Sequence, residues 1–353
     1  MLPNVKDLTA DELGAWLVER GQPRFRARQI LQWLFQKGAL SFVEMSDLSK
    51  ELRDVLSRSF LVTRPQTVRR SESADGTRKL LLRLADGSEI ETVVIPMERE
   101  AQSPRLTLCI SSQVGCGMGC AFCATATLGL RRSLRASEIV DQVLEARREV
   151  RGAGSPPTGG HDPLNNIVFM GMGEPLHNYD EVVRAIGILT AEWGPGFSPR
   201  RITVSTVGLV PQMRRLLEDT RVNLAISLSA TTEATRGRLM PVNRKYPLEE
   251  ILRACRELPL PRRRRITFEY VMLRGENDSL TDAARLGRLL RGIPSKVNLI
   301  PFNPFPQTPF APTQRPAIEA FRAELLRQGI HATVRESRGQ DIQAACGQLA
   351  AVA

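Results

Sequence analysis

From Arg105 onward, short β-rich runs alternate with longer helical patterns, and this rhythm restricts the chain more than any other feature in it. Such alternation marks β/α units joined by crossover helices, hence a parallel sheet in an α/β fold. Six runs qualify as strands: 106–111, 166–170, 202–205, 223–227, 267–273 and 297–300, with an extra one over 332–335. Helical patterns separate them, for example over 139–150, with Ser137 as the expected cap, and over 251–258. Each strand runs into a small or polar patch: Ser111-Ser112, 171–174, Ser205-Thr206, 227–229, 274–277 and Asn303. In barrels and doubly wound sheets that end carries the active site, so the patches should converge on one opening. Six units fall short of an eight-fold closed barrel. The expectation is a partial (β/α)6 TIM-like barrel whose open side admits a large substrate.

Residues 1–96 follow another pattern and are expected to form a small helical accessory domain with a β-hairpin, leaving 97–353 for the barrel. Leu13, Trp16 and Leu17, then Ile30, Leu31, Trp33 and Leu34, recur at near-helical spacing. The β-rich runs 79–84 and 90–95 flank Asp86-Gly87, a pair suited to a tight reversal, and Pro96 should end the hairpin. Arg24, Arg26 and Arg28 could grip a phosphate backbone, or could equally form a solvated basic turn. The segment 152–163, rich in Gly and Pro, reads as a connection without chemistry.

No stretch of the 353 residues approaches the roughly 18 apolar positions of a bilayer span. The first residues lack the basic start and apolar centre of a signal peptide, so a cytoplasmic chain without a membrane partner is expected. The net charge is +11, carried mostly by arginine, whose planar fork suits phosphate. A polyanionic partner fits this balance, and so does a merely solvated basic surface.

Six cysteines are too few for a disulfide scaffold in a chain this long. Three of them, however, fall within eight residues as Cys116-Gly-Met-Gly-Cys120-Ala-Phe-Cys123, directly after the first strand of the β/α series. The glycines let this loop wrap closely around something compact. Three thiolates with no histidine suit a soft-metal centre, and a [4Fe-4S] cluster held by three cysteines keeps one iron open. Zinc would need a fourth ligand borrowed from Cys109, Cys255 or a distant histidine. A non-enzymatic RNA-binding module with such a structural metal is therefore the rival from another class.

The CxxxCxxC spacing after a strand resembles the radical S-adenosylmethionine superfamily. The resemblance implies that Cys116, Cys120 and Cys123 ligate the cluster, and that its open iron chelates the methionine end of S-adenosylmethionine. Gly171-Met-Gly-Glu-Pro175 is similar to the superfamily's motif for that end. Further motifs, Cys109-Ile-Ser-Ser-Gln-Val-Gly-Cys116, GMGEPLHN over 171–178, IPFNPFP over 300–306, DIQAACGQL over 341–349 and ETVVIP over 91–96, look like the RlmN and Cfr family of RNA adenine methyltransferases. This likeness runs through nearly the whole chain. It implies Gly173, Glu174, Ser205, Ser227, Leu228, Ser229 and Asn303 as S-adenosylmethionine contacts. Ser229 departs from the pattern, since the family often carries histidine there; a backbone contact would survive the change.

The family's chemistry answers a particular difficulty. Adenine carbons between ring nitrogens are electron-poor and do not attack a sulfonium methyl. The resemblance implies that Cys346 first takes a methyl from one S-adenosylmethionine, and that a radical from a second removes hydrogen from it, so the carbon adds to the ring. Cys109 then attacks the Cys346 sulfur, releasing product through a transient disulfide. Glu91 matches the proton acceptor. Taken singly, Cys346 reads as packing, Cys109 as a strand-core residue and Glu91 as a strand-surface charge; Cys255 is expected in the core.

The implied substrates are 23S ribosomal RNA and transfer RNA beside the anticodon, methylated at C2. The C8-methylating Cfr branch is the alternative. Partners implied with them are an electron donor such as flavodoxin or ferredoxin, acting on a monomer. Arg131, Arg132, Arg135, Arg200 and Arg201 are candidates for phosphate contacts, and 262–265 for a solvated basic edge. The target base must be unstacked to reach such a site.

Overall fold

A computed structural model describes residues 2–97, 105–151, 164–261, 263–306 and 308–351. The connection 152–163, most of the loop before Arg105, and Arg262 lie outside the described residues. Twelve strands are described: β1 Gln66–Glu72, β2 Arg78–Arg83, β3 Glu89–Met97, β4 Arg105–Cys109, β5 Gln113–Gly115, β6 Leu130–Ser133, β7 Leu164–Phe169, β8 Ile202–Thr206, β9 Asn223–Ser227, β10 Ile266–Met272, β11 Ser295–Pro301 and β12 Ala332–Val334. The helices are α1 Ala10–Val18, α2 Arg26–Phe35, α3 Lys50–Ser59, α4 Ala124–Thr127, α5 Ala136–Arg151, α6 Tyr179–Thr190, α7 Val210–Asp219, α8 Glu233–Leu239, α9 Leu248–Glu257, α10 Leu280–Leu289 and α11 Arg315–Arg327. None is long and apolar enough to cross a membrane.

One open sheet takes ten strands in the order β1-β2-β3-β4-β7-β8-β9-β10-β11-β12. From β4 to β12 every neighbour is parallel, linked by outer helices, and the six expected strands each fall within two residues of those observed. The extra run at 332–334 is a true seventh parallel strand. The hairpin is not separate from the barrel: β3 pairs antiparallel with β4, opposing Val93 to Cys109, so the sheet continues into it. β1, which the residue pattern did not reveal, adds a third antiparallel strand. Pro96 does not end β3, because β2 stops pairing at Val94 and the strand beyond it has a neighbour on one side only.

The helical pattern at 139–150 extends to Ala136, which places Ser137 inside α5 rather than at its cap. Distant carboxylates take the first-turn N–H groups instead. Ala136 N donates to Glu181 (2.6 Å) and Ser137 N to Asp7 (3.0 Å), while Arg135 N donates to Glu138 (2.9 Å). Negative charge at a helix N-terminus is favourable on both hydrogen-bond and dipole grounds. The Asp7 contact also fastens the N-terminal region to the barrel.

Leu13, Leu17, Ile30, Leu31, Leu34, Leu52 and Leu56 fill the space between α1, α2 and α3, in one core continuous with the barrel's outer layer. Lys6 is buried against α5, where its ammonium meets the Asp141 carboxylate and the Thr63 carbonyl. Removing one partner of a buried pair strands the other charge. Asp141→Ala is therefore expected to lower the free energy of urea unfolding by about 3–5 kcal/mol. The double variant Lys6→Met/Asp141→Leu should recover most of that loss in the same assay.

Candidate active site

The three clustered cysteines sit on a loop whose ends are stapled together. β5 and β6 pair on either side of it, and Cys116 N donates to the Gly129 carbonyl (2.9 Å). Gly115 has φ 76°, and a Cβ there would fall 1.9 Å from that same carbonyl oxygen, so only glycine closes the loop. A polar network joins its base to residues 171–174. Ser112 N and Gln113 N donate to the Met172 carbonyl, Glu174 N donates to Gln113, and Asn178 donates to the Ser112 and Leu134 carbonyls. Ser111 and Gln142 exchange hydrogen bonds beneath them. The small residues after the first two strands thus bind two loops into one rigid unit.

Cys116, Cys120 and Cys123 line a cavity of roughly 150 Å³ together with Gly173, Glu174, Ser205 and Ser227. Burial raises all three thiols above their ordinary range, Cys116 to about 12. Soft thiolates gathered at one cavity suit a cluster ligated by these three, which would neutralise what burial penalises. Among the described residues no three His, Cys, Asp or Glu side chains form a group that could hold a single metal ion. Glu174 accepts hydrogen bonds from Leu176 N (3.0 Å) and Val207 N (2.9 Å), and burial still pushes its carboxyl up to about 7. At Gly173 the φ of 101° and a Cβ 2.6 Å from Gln113 exclude other residues. The backbone of the 171–175 turn can therefore approach a ligand closely.

Leu228 and Ser229 are buried behind this cavity rather than on its wall. Leu228 N donates to the Glu269 carbonyl, and Ser229, at φ 49°, accepts from Val271 N (3.3 Å). Asn303 turns to the C-terminal segment: its amide donates to the Cys346 carbonyl (3.1 Å) and its oxygen accepts from Gln340 (2.6 Å).

Cys346 itself lines the cluster cavity, close enough to Cys123 to add to the rise that burial gives that thiol. It also lines a second cavity of roughly 610 Å³, which Cys109 enters from the end of β4. Burial first, and the neighbouring Cys346 second, push the Cys109 thiol up to about 12. Arg335 lines the same cavity; the Cys346 sulfur is the largest influence holding its charge, with Glu269 and Cys109 adding to it. Met170, Glu269, Ile300, Arg335 and Cys346 belong to both walls, so the two cavities meet there.

The larger cavity occupies the barrel interior toward the strand beginnings, and polar side chains stand among the apolar ones on its wall. Thr107, Asn166, Thr203, Asn223, Thr267 and Lys296 sit at alternate positions of successive strands, with Arg200 and Arg201 just before β8 at its mouth. The opening expected only at strand ends therefore has a counterpart at strand starts. The period-two polar residues in runs that otherwise read as buried strands were the signal for it. Of the other arginines, Arg132 is committed to Asp86 (2.7 Å) and Glu138 (2.8 Å), and Arg24 to Asp11 (2.8 Å), while Arg28, Arg131 and Arg135 are exposed.

Glu91 lines neither cavity. Its carboxylate pairs with Lys79 (2.9 Å) and accepts from Ala350 N (2.9 Å) and Ala351 N (3.1 Å). It is one of several ties on residues 339–351. Lys79 donates to the Gln343 carbonyl, Ala124 N to Gly347, Thr125 to Leu349, and Gly339 N to Asp75. Cys255 is buried in α9, as expected.

Comparison with known proteins adds to this geometry. Residues 3–62 match the family model described as the ribosomal RNA large subunit methyltransferase N-terminal domain, and 110–286 that of the radical SAM superfamily. The dual-specificity RNA methyltransferase RlmN of Anaeromyxobacter dehalogenans is 51% identical over 99% of this chain and 92% of its own length. Its counterpart in Geobacter sulfurreducens is 52% identical over 98% and 91%. The crystal structure of a radical SAM methyltransferase from Sphaerobacter thermophilus superposes with a TM-score of 0.90 at 46% identity, covering 99% of this chain and all of that one.

The ties on 339–351 have a pH dependence that can be measured. Although burial raises the Asp75 carboxyl, hydrogen bonds from Thr77, Gly339 and Ser73 hold it near 2, below its ordinary 3.8. A depressed carboxyl stabilises fully above its unfolded value and loses that contribution as pH falls toward the folded one. Hydrogen exchange followed by mass spectrometry should thus show residues 339–351 loosening between about pH 4 and 2. Asp75→Asn should show the same loosening at neutral pH.

Proposed function

Because this chain belongs to the RlmN family of radical S-adenosylmethionine RNA methyltransferases, we propose that it methylates C2 of an adenine in 23S ribosomal RNA and in transfer RNA, with Cys346 carrying the methyl group. The observation that carries this reading is the position of Cys346. It borders both the cavity of the three cluster cysteines and the cavity that Cys109 enters.

When bound, the cluster and S-adenosylmethionine supply the methyl group and the hydrogen-abstracting radical that no side chain can provide. Cys116, Cys120 and Cys123 would hold the cluster, and Gly173, Glu174, Ser205 and Ser227 the cofactor beside it, while Asn303 holds the Cys346 loop, with Leu228 and Ser229 supporting the wall. The Arg335 guanidinium lines the same two cavities as the Cys346 sulfur that acts as the nucleophile. The larger cavity admits the unstacked base from the mouth where Arg200 and Arg201 meet its phosphates.

Once the base is joined to the Cys346 carbon, Glu91 takes the proton from the modified ring carbon. Its present ties to Ala350 and Ala351 mean that residues 350–351 must release the carboxylate first. The adduct also gives up one electron, for which the bound cluster would be the acceptor; the Cys109 thiolate then attacks the Cys346 sulfur, the two sulfurs form a disulfide as the carbon–sulfur bond breaks, and the displaced carbon takes up a proton as the methylated base leaves. The reading places the enzyme in the cytoplasm as a monomer, with flavodoxin or ferredoxin as electron donor.

Anaerobically reconstituted protein should hold about four irons and release 5′-deoxyadenosine. Digested RNA product should contain 2-methyladenosine by mass spectrometry; 8-methyladenosine, or no methylation at all, would overturn the reading. Cys346→Ala should abolish methylation. Cys109→Ala should instead leave RNA crosslinked to the protein on a denaturing gel, and free turnover by that variant would remove Cys109 from the scheme.

A further inference from the structure

The residue with the least explained surroundings in the barrel is Glu269 of β10. It is 4% exposed, yet only one carboxylate oxygen has a partner: Oε1 accepts from Asn298 (3.0 Å), and Oε2 has no hydrogen bond. An unsatisfied buried carboxylate oxygen costs free energy that a bound donor would recover. The strand's alternation shows where that oxygen's side chain lies. Thr267 lines only the larger cavity, Val271 only the cluster cavity, and Glu269, between them, lines both. Cys346 and Arg335 occupy the same level.

A base whose reacting carbon meets Cys346 lies at the stretch of wall that Glu269 also forms. Adenine carries an exocyclic amino group at C6, a hydrogen-bond donor; guanine carries a carbonyl oxygen there, which a carboxylate repels. Resting on the RNA adenine methyltransferase reading above, we infer that Glu269 Oε2 accepts a hydrogen bond from the 6-amino group of the target adenine and rejects guanine. Burial raises the Glu269 carboxyl, opposed by the Arg335 charge and the Asn298 amide. Both protonation states keep an acceptor oxygen for an amino donor, and the ionised one, which cannot donate, is the form that turns guanine away. A site built around such a pair rejects analogues lacking the donor far better than a merely apolar pocket does.

The test is a cycle between the side chain and the base. Reconstituted full-length enzyme is given one RNA with adenine, or with unsubstituted purine, at the target position, and kcat/KM for C2 methylation is compared. Wild type should lose about 10- to 100-fold on the purine RNA. Glu269→Ala should lose a similar factor on the adenine RNA and almost nothing further on the purine RNA. Glu269→Gln, which keeps an acceptor oxygen and the side-chain shape, should retain the purine penalty and guards against misfolding of the alanine variant. Transfer of the first methyl to Cys346 without RNA, read by intact mass, is the step that a role toward the cofactor would abolish and a role toward the base would not. Equal purine penalties in wild type and Glu269→Ala would overturn the inference, as would loss of Cys346 methylation, which would assign Glu269 to the cofactor. Failure of wild type to methylate either RNA would instead overturn the functional reading itself.

Discussion

The binding of residues 339–351 across the barrel is the constraint on which the rest of the site depends. Cys346 lies near the end of the chain, far in sequence from the cysteines it faces, and no strand of the sheet carries it. Its position comes from hydrogen bonds: Asn303 to its own carbonyl, Ala124 N to Gly347 just beyond the cluster loop, and the hairpin's Asp75, Lys79 and Glu91 on either side. Each is worth little alone, about 0.5–1.5 kcal/mol for a neutral pair. Together they hold a segment without regular structure, and the same modest strengths allow it to move. Under the proposed function, a sulfur that meets first a cofactor and then a base needs both properties.

The barrel supports this arrangement at a cost. Strands of parallel sheets are commonly buried on both faces and read as apolar runs. Here the outward face of β4 and β7–β11 is apolar, with Leu108, Ile167, Val204, Ile226, Phe268, Tyr270, Val297 and Leu299 buried under the helices. The inward face carries Thr, Asn, Lys, Glu and Arg instead. Stability thus rests on the outer layer and on its continuity with the N-terminal helices, whose leucines share the same core. The inner face is free for polar groups that a packed interior would not tolerate.

Local pattern made much of this legible. The β/α rhythm located the parallel strands to within two residues, because hydrophobic periodicity records burial on the helix-covered face. The CxxxCxxC spacing was legible because ligands of one centre must lie close in sequence on a tight loop. What stayed hidden was set by distant partners. The end of α5 is capped by Asp7 and Glu181, which no local signal announces at Ser137. The short β5–β6 pair depends on Gly115 meeting Gly129 across the cluster loop. The hairpin's union with the barrel follows from β3–β4 pairing, which separate readings of 1–96 and 97–353 do not contain. Glu269 and Arg335 looked like ordinary strand residues, since a charge at an alternate position usually faces water.

Glu91 shows why location and role have to be argued together. The family likeness makes it a proton acceptor, and the structure finds it holding the backbone of Ala350 and Ala351 through one oxygen and Lys79 through the other. These two findings agree if the segment bearing Cys346 has two positions. While Glu91 grips residues 350–351, both carboxylate oxygens are occupied by donors, Ala350 N and Ala351 N on one and Lys79 on the other, and neither is open to a ring proton. When the segment shifts toward the base, those two N–H groups leave and one carboxylate oxygen is freed. Movement of the methyl carrier and readiness of the proton acceptor would then be one event, because the same two N–H groups govern both.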